Sequence, residues 1–207
     1  MKNPIRILIA DDHPVARVGV VTIVGTQPDM KVVGEASDGR EAVRLFRKLK
    51  PDITLLDLRM PGFDGMEAAA AILAEFPDAK TIALTTYDGD QDIRRACAAG
   101  VRGYLTKDVP DEELLKAIRA VHDGSLYLTA SVAARLHAKP PSPELTEREI
   151  QVLELIVLGH QNKQIAYALN IAEETAKIHV KHILSKLGVQ DRTHAAMTAV
   201  QRGIVHL

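Results

Sequence analysis

Tryptophan is absent from the 207 residues, cysteine occurs once, and aromatic side chains make up only 3% of the chain. A core with so few rings has to be built from Ile, Leu, Val and Ala. The single Cys97 has no partner for an internal disulfide and no companions for a thiolate metal cluster, which suits a reducing compartment such as the cytoplasm. Long apolar runs are missing as well. The opening MKNPIRILIADDHP holds only Ile7–Ala10 before two aspartates, too short for a signal-peptide core or a membrane span. The expectation is a soluble, cytoplasmic protein with no membrane partner. Nor is there an excess of charge of one sign: the formal net charge is -1, so a nucleic-acid site has to be a local patch. What is present is a 46% apolar share, enough for a core. The length suits one domain of ordinary size plus a smaller one.

From residue 5 to about 122, short apolar or β-branched runs alternate with longer stretches of helical period. The runs are Ile5–Ala10, Val32–Ala36, Ile53–Asp57, Thr81–Thr85 and Arg102–Thr106, and the amphipathic segments lie near 14–25, 39–49, 65–75, 90–99 and 111–122. Five strands each followed by a helix predict an open, doubly wound, five-stranded parallel sheet with helices on both faces. The working site of such a sheet lies at the carboxyl ends of its strands. Residues 124–138 predict one more helix. Three prolines within 139–143 then mark an extended hinge. Beyond it strand alternation stops. Thr146 with Glu149 makes a capping box for a helix that ends at Gly159, and helices follow over about 163–169, 173–187 and 193–202. The domains are therefore read as 1–122, a linker helix and Pro-rich hinge over 123–144, and a small all-α domain over 145–207.

The stretch LLDLRMPGFDG carries Asp57 out of an apolar run into a Met60-Pro61-Gly62 turn, while Asp11 and Asp12 end the first run. If these strand ends are neighbours, three carboxylates converge, and two unit charges 4 Å apart repel by roughly 4 kcal/mol at an effective dielectric near 20. A cation or a proton has to relieve that. Oxygen-only ligation at a solvent-facing rim suits Mg²⁺. Thr85 at the end of the fourth run and Lys107 after the fifth add a hydroxyl and a cation, as an incoming phosphoryl group requires. Together they describe phosphoryl transfer with Asp57 as nucleophile. Singly each residue has an ordinary reading: a turn aspartate, a solvated Asp pair, a strand threonine, a surface lysine. Only their coincidence at strand ends points to chemistry.

Through IADDHP, LLDLRMPGFDG, ALTTYD and GYLTKD, residues 1 to about 122 resemble the receiver domain of two-component response regulators, a flavodoxin-like fold. The resemblance implies Asp57 as phosphoacceptor, with Asp11, Asp12, Asp57 and the backbone carbonyl of Arg59 around Mg²⁺. It also implies that Thr85 and Lys107 grip the phosphoryl oxygens and that Tyr104 is an aromatic switch turning inward when Thr85 moves. Arg59 and Tyr87, two residues after Asp57 and Thr85, flank the path of the hydrolytic water in that family. Both are bulky, which implies slow self-dephosphorylation; beyond that and self-phosphorylation from a donor, the resemblance implies no enzymatic activity. A haloacid-dehalogenase-type phosphatase also uses a strand-end aspartate, but it wants a second acid two residues on, where Arg59 stands.

In EETAKIHVKHILSKL, residues 173–187, Ala176, Val180, Ile183, Leu184 and Leu187 share one arc about 100° wide, a core stripe. Lys177, Ile178, Lys181, His182 and Ser185 fall opposite. An isoleucine between two lysines on a wet face fits a thymine methyl flanked by phosphates or base edges. With the preceding LTEREIQVLELIVLGHQNKQIAYALNI, residues 145 to about 204 resemble the LuxR-type helix-turn-helix, and the whole chain resembles a NarL/FixJ-type regulator. That resemblance implies that Lys177, Ile178 and Lys181 face double-stranded DNA, that Asn162 and Lys163 reach its backbone, and that the helix from Arg192 onward is a dimerisation surface reading an inverted repeat. The implied partners are a sensor histidine kinase, DNA, a second copy of the chain and, as a further candidate, RNA polymerase. The implied function is phosphorylation-controlled transcription. The competing reading is a DNA-binding regulator that uses the receiver only as a scaffold. Two features temper the DNA site: Ala172 stands where the family often has a capping Ser or Thr, and from Lys139 on eight basic residues face only seven acidic ones.

Overall fold

In the first strand Ile5, Ile7 and Ile9 turn to one face of a sheet and Leu8 and Ala10 to the other, so both faces need cover. The computed structural model describes residues 3–86, 89–137 and 145–205. Two compact units result. The first runs to Leu136 apart from Gly89–Asp92, and the second takes those four and His137 onward.

The first unit contains β1 (Ile5–Ala10), α1 (Pro14–Gly25), β2 (Met30–Ala36), α2 (Gly39–Leu49), β3 (Ile53–Leu56), α3 (Gly65–Glu75), β4 (Thr81–Thr85), α4 (Asp90–Ala98) from Ile93 on, β5 (Gly103–Thr106) and α5 (Asp111–His122). The strands are parallel in the order β2-β1-β3-β4-β5, with a further strand, β6 (Tyr127–Leu128), beyond β5. From β1 the chain steps out to β2, then returns past β1 to β3, so the switch in strand order falls between β1 and β3. Their carboxyl ends are therefore adjacent, which is where such sheets bind ligands. One apolar layer holds Ile7, Ile9, Ile53, Leu55, Ile82 and Leu105 with Leu114 and Ile118 of α5. The other holds Leu8, Leu56, Ala83 and Tyr104 with Phe46 of α2, Ile72 of α3 and Ile93 of α4.

The five expected strands are present, and a two-residue sixth, β6, is added at the edge; the helix read over 124–138 starts later, as α6 (Ala130–His137), because β6 takes the beginning of that segment. Tyr127 donates its N–H to the Arg102 carbonyl at 2.9 Å, and its hydroxyl donates to Glu113 of α5 at 2.6 Å. Two anchors outside the segment thus override its helical period, and residues 123–136 pack with the first unit. The Pro-rich hinge over 139–143 lies outside the described residues.

The turn after Asp57 is shaped by two glycines. Gly62 has φ +80°, open to glycine at no steric cost. Gly65 begins α3 so close to Asp57 that a Cβ there would run into the Asp57 carbonyl oxygen. A reciprocal cap, Asp64 accepting from the Glu67 N–H at 2.8 Å and Glu67 from the Asp64 N–H at 2.9 Å, fixes where α3 starts.

The second unit has α7 (Glu147–Val157), α8 (Asn162–Ala168), α9 (Glu173–Leu187) and α10 (Arg192–Gln201). Its core is Val152, Leu153, Ile156, Ile165, Ala176, Ile183, Ala195 and Ala199. Glu149 closes the α7 capping box with Thr146 and accepts from Lys186 of α9 at 2.7 Å. Burial raises the pKa of its carboxyl, but Lys186 and Thr146 outweigh that and hold it below the ordinary value of 4.5. An acid with a lowered folded pKa adds stability above its unfolded value and loses it as pH falls through the folded one. Protection of the α7 amides in native-state hydrogen exchange is therefore expected to fall on acidification below about 4.5. Glu149→Gln is expected to flatten that dependence and to cost about 2 kcal/mol at neutral pH, because the charge-assisted hydrogen bond from Lys186 to the Glu149 carboxylate is lost.

Candidate functional site

Asp57 stands one residue beyond β3, and its N–H donates to the Ala10 carbonyl at 2.8 Å, so the β1–β3 ladder itself sets its position beside Asp11. Lys107 stands one residue beyond β5 and is tied by its N–H to the Thr85 carbonyl at 2.8 Å. From there its ammonium lies 2.6 Å from Asp57 and 2.7 Å from Asp11. Asp11 and Asp57 are each only 3% exposed. Burial pushes the Asp57 carboxyl up from its ordinary value, with the Lys107 ammonium and the Arg59 N–H (3.0 Å) pulling the other way. Burial also opposes the Lys107 charge, but its hydrogen bonds to Asp11 and Asp57 together hold it above the ordinary lysine value.

Asp11, Asp12, His13 and Asp57 each place one ligand atom within 4.8 Å of the others. Asp12 Oδ1 is out of reach of solvent and accepts no assigned hydrogen bond from the described residues, with His13 Nδ1 2.9 Å away. An orphaned carboxylate oxygen in an oxygen-rich rim fits a hard divalent cation such as Mg²⁺.

Thr85, at the end of β4, and Tyr104, in the middle of β5, are both fully buried, Tyr104 on the face that carries α2 and α3. Arg59 is half-buried and reaches Asp57 through its backbone N–H. Tyr87 lies outside the described residues. Sequence reasoning missed two residues. His13 is the fourth member of the rim. Arg17 donates from Nη1 to the Asp11 carbonyl at 2.5 Å and lies 3.5 Å from Glu35, bracing the turn that holds the acidic pair. Its signal was there, since Arg17 is the one charged side chain in PVARVGVVTIVG.

In the second unit, α8 and α9 are joined by a four-residue turn in which Asn170 has φ +50°, and Arg148 binds the Leu169 carbonyl at 2.7 Å. α9 turns Ala176 and Ile183 into the core and leaves Lys177, Ile178, Lys181 and His182 on its outer side. Ile178 is half exposed beside Lys177, whose ammonium lies 3.1 Å from Glu174 and 3.8 Å from Glu173. Ala172 makes no side-chain cap. Asn162 and Lys163, at the start of α8, line an open groove of about 650 Å³ together with Gln161, Glu173 and Arg192. The groove brings Arg192, read from the sequence only as the start of the dimerisation helix, beside Asn162 and Lys163. On α10 a separate apolar groove of about 350 Å³ is lined by Val157, Ala196, Met197 and Val200.

A doubly wound sheet with this acidic rim and lysine, followed by a helix-turn-helix, defines a response regulator with a DNA-binding output domain. Comparison with known proteins agrees. Residues 7–119 match the response regulator receiver domain and residues 143–199 match the bacterial regulatory proteins of the luxR family, and this chain belongs to both. The transcriptional regulatory protein LiaR of Bacillus subtilis is 41% identical over 210 residues, covering 98% of this chain and 100% of LiaR. The response regulator protein VraR of Staphylococcus aureus is 37% identical over 206 residues, 97% of this chain and 99% of VraR. Among solved structures, the response regulator ChrA of a heme-sensing two-component system is 39% identical, with a TM-score of 0.60 over 99% of this chain and 100% of that one. The two-component response regulator RcsB in complex with DNA is 27% identical, with a TM-score of 0.69 over 96% of this chain and 99% of RcsB. The protein is a two-component transcriptional regulator, not a classical enzyme, and among the described residues no helix is long and apolar enough to cross a membrane.

Proposed function

We propose that Asp57 accepts a phosphoryl group from the phosphohistidine of a sensor kinase and that this controls binding of the chain, as a homodimer, to double-stranded DNA in the cytoplasm. The carrying observation is the Lys107 ammonium held between Asp57 and Asp11 at 2.6 and 2.7 Å on adjoining strand ends. A carboxylate oxygen of Asp57 attacks phosphorus, the N–P bond of the donor breaks, and its electron pair stays on the departing imidazole. Lys107, already charged, then pairs with a phosphoryl oxygen instead of two carboxylates. Thr85 donates its hydroxyl to another oxygen. Mg²⁺, held by Asp11, Asp12, Asp57 and the Arg59 carbonyl, would neutralise charge on the same group. The bulk of Arg59 and Tyr87 keeps the hydrolytic water away and makes the phosphoryl group long-lived.

On the output side, Lys177, Ile178 and Lys181 meet the major groove, and Asn162 and Lys163 reach phosphates. The apolar groove on α10 supports a dimer that reads an inverted repeat. RNA polymerase is the partner on which bound regulator acts. The test is the oligomeric state and DNA affinity of the full chain with and without beryllofluoride and Mg²⁺. A rise in dimer fraction and affinity supports the proposal. Equal values in both states favour regulation without phosphorylation.

A further inference from the structure

His13 occupies the N-cap of α1, with Pro14 following it, yet its side chain makes no capping hydrogen bond. An N-cap side chain ordinarily closes on the helix it starts. This one faces the acidic rim instead: Nδ1 lies 2.9 Å from Asp12 Oδ1 and 3.6 Å from Asp11 Oδ1. The backbone holds it there. The His13 N–H donates to Asp11 Oδ1 at 2.8 Å, and the His13 carbonyl accepts from the Arg17 N–H at 3.0 Å. The imidazole itself stays open to solvent, 69% exposed.

An octahedral ion with bonds of about 2.1 Å sets neighbouring ligand atoms about 3.0 Å apart and opposite ones about 4.2 Å apart. Nδ1 and Asp12 Oδ1 already stand at the shorter spacing, and Nδ1 and Asp11 Oδ1 lie between the two. Charge agrees with distance. Asp11, Asp12 and Asp57 bring three carboxylates together, and the Lys107 ammonium, on Oδ2 of Asp11 and of Asp57, balances one of them. What is left matches a dication, whereas a proton shared between Nδ1 and Asp12 would supply at most half of it. Oxygen ligands alone suit Mg²⁺, and an imidazole among them moves the preference toward first-row transition ions. We infer that His13 Nδ1 is a direct ligand of the ion at the rim, and that the rim therefore takes Mn²⁺ or a later first-row divalent ion in preference to Mg²⁺. The inference rests on the divalent-ion site proposed above and changes which ion fills it.

Mn²⁺ and Mg²⁺ titrated separately into the untagged full chain test this, with pulsed electron paramagnetic resonance of the Mn²⁺ complex reporting the atoms bonded to the ion. In the wild-type chain Mn²⁺ is expected to bind severalfold more tightly than Mg²⁺ and to show hyperfine coupling to an imidazole nitrogen. His13→Ala is expected to remove that coupling and to narrow the ratio of the two affinities, since an all-oxygen rim keeps only part of the preference. Asp12→Asn is expected to weaken both ions, as it must if they sit at the rim. The inference is overturned, and the oxygen-only rim and the phosphoacceptor reading stand, if the wild-type chain shows no nitrogen coupling, or if the coupling or the affinity ratio survives His13→Ala. Mn²⁺ binding that ignores Asp12→Asn overturns it as well, because the ion is then held elsewhere. If neither ion binds, the inference falls together with the divalent-ion site.

Discussion

Asp57→Asn is expected to reduce phosphoryl incorporation from acetyl phosphate to background and to abolish the response of dimerisation and DNA affinity to beryllofluoride, while leaving the chain as stable as the wild type or more so. The two effects have separate causes. The first follows because the amide is no nucleophile and carries no charge for Lys107 or a divalent cation to meet. The second follows from the sign of the Asp57 pKa. Burial raises it, so the native state holds the Asp57 proton more tightly than the unfolded state does. Stability falls as pH rises through the window between the ordinary value of 3.8 and the raised one, and above that window the ionised carboxylate is a net cost. Asparagine removes that cost, and Lys107 keeps Asp11 at 2.7 Å as its counter-charge. Phosphate-affinity gels and thermal unfolding at neutral pH check the two halves. A lower Tm by several degrees would mean that the Asp57–Lys107 pair contributes stability instead of being held in reserve for the phosphoryl group.

That reserve is the physical content of the rim. Two buried carboxylates and one ammonium leave an excess negative charge in a place from which water is largely excluded, a costly arrangement unless a cation joins it. Ile7, Ile9, Ile53 and Leu55 fill one face behind the rim and hold the strand ends rigid, so relief comes from a ligand and not from relaxation. Arg17 contributes from outside, fixing the carbonyl of Asp11 and hence the direction in which the acidic pair points.

Much of this was legible in the residues. The five longer strands announce themselves as β-branched runs, and the boundaries of α1, α2, α3, α5 and α9 coincide with Pro14, Asp38, Asp64, Pro110 and Gly188, residues that cap or stop helices for local reasons. The convergence of Asp11, Asp57 and Lys107 follows from strand ends in a parallel sheet, so a reading of the strands alone reaches it. β6 could not be found that way. Two residues have no period, and what makes Tyr127–Leu128 a strand is the free edge of β5 and the acceptor on Glu113, both distant in sequence. His13 was overlooked for a related reason, since its place at the rim depends on the turn that follows β1 and not on any spacing.

Lys177→Ala combined with Lys181→Ala is expected to lower affinity for a non-specific duplex on the order of tenfold per lysine and to reduce the slope of log affinity against log salt by about two, one for each phosphate no longer neutralised. The structure adds a second arm of opposite sign. Lys177 is paired on its own helix with Glu174 at 3.1 Å and Glu173 at 3.8 Å, and that pairing holds its ammonium above the ordinary lysine value. DNA has to replace those partners with a phosphate. Glu174→Gln therefore raises affinity for the same duplex and steepens the salt slope, even though it removes a negative charge that favours the α9 N-terminus. Ile178→Ala behaves differently from both, leaving the salt slope unchanged and weakening only duplexes that present a thymine methyl to it. Fluorescence anisotropy across a salt series separates the three outcomes. If the lysine pair leaves the slope intact, α9 does not face the phosphates, and the DNA-binding surface has to be sought in the groove formed by Asn162, Lys163 and Arg192.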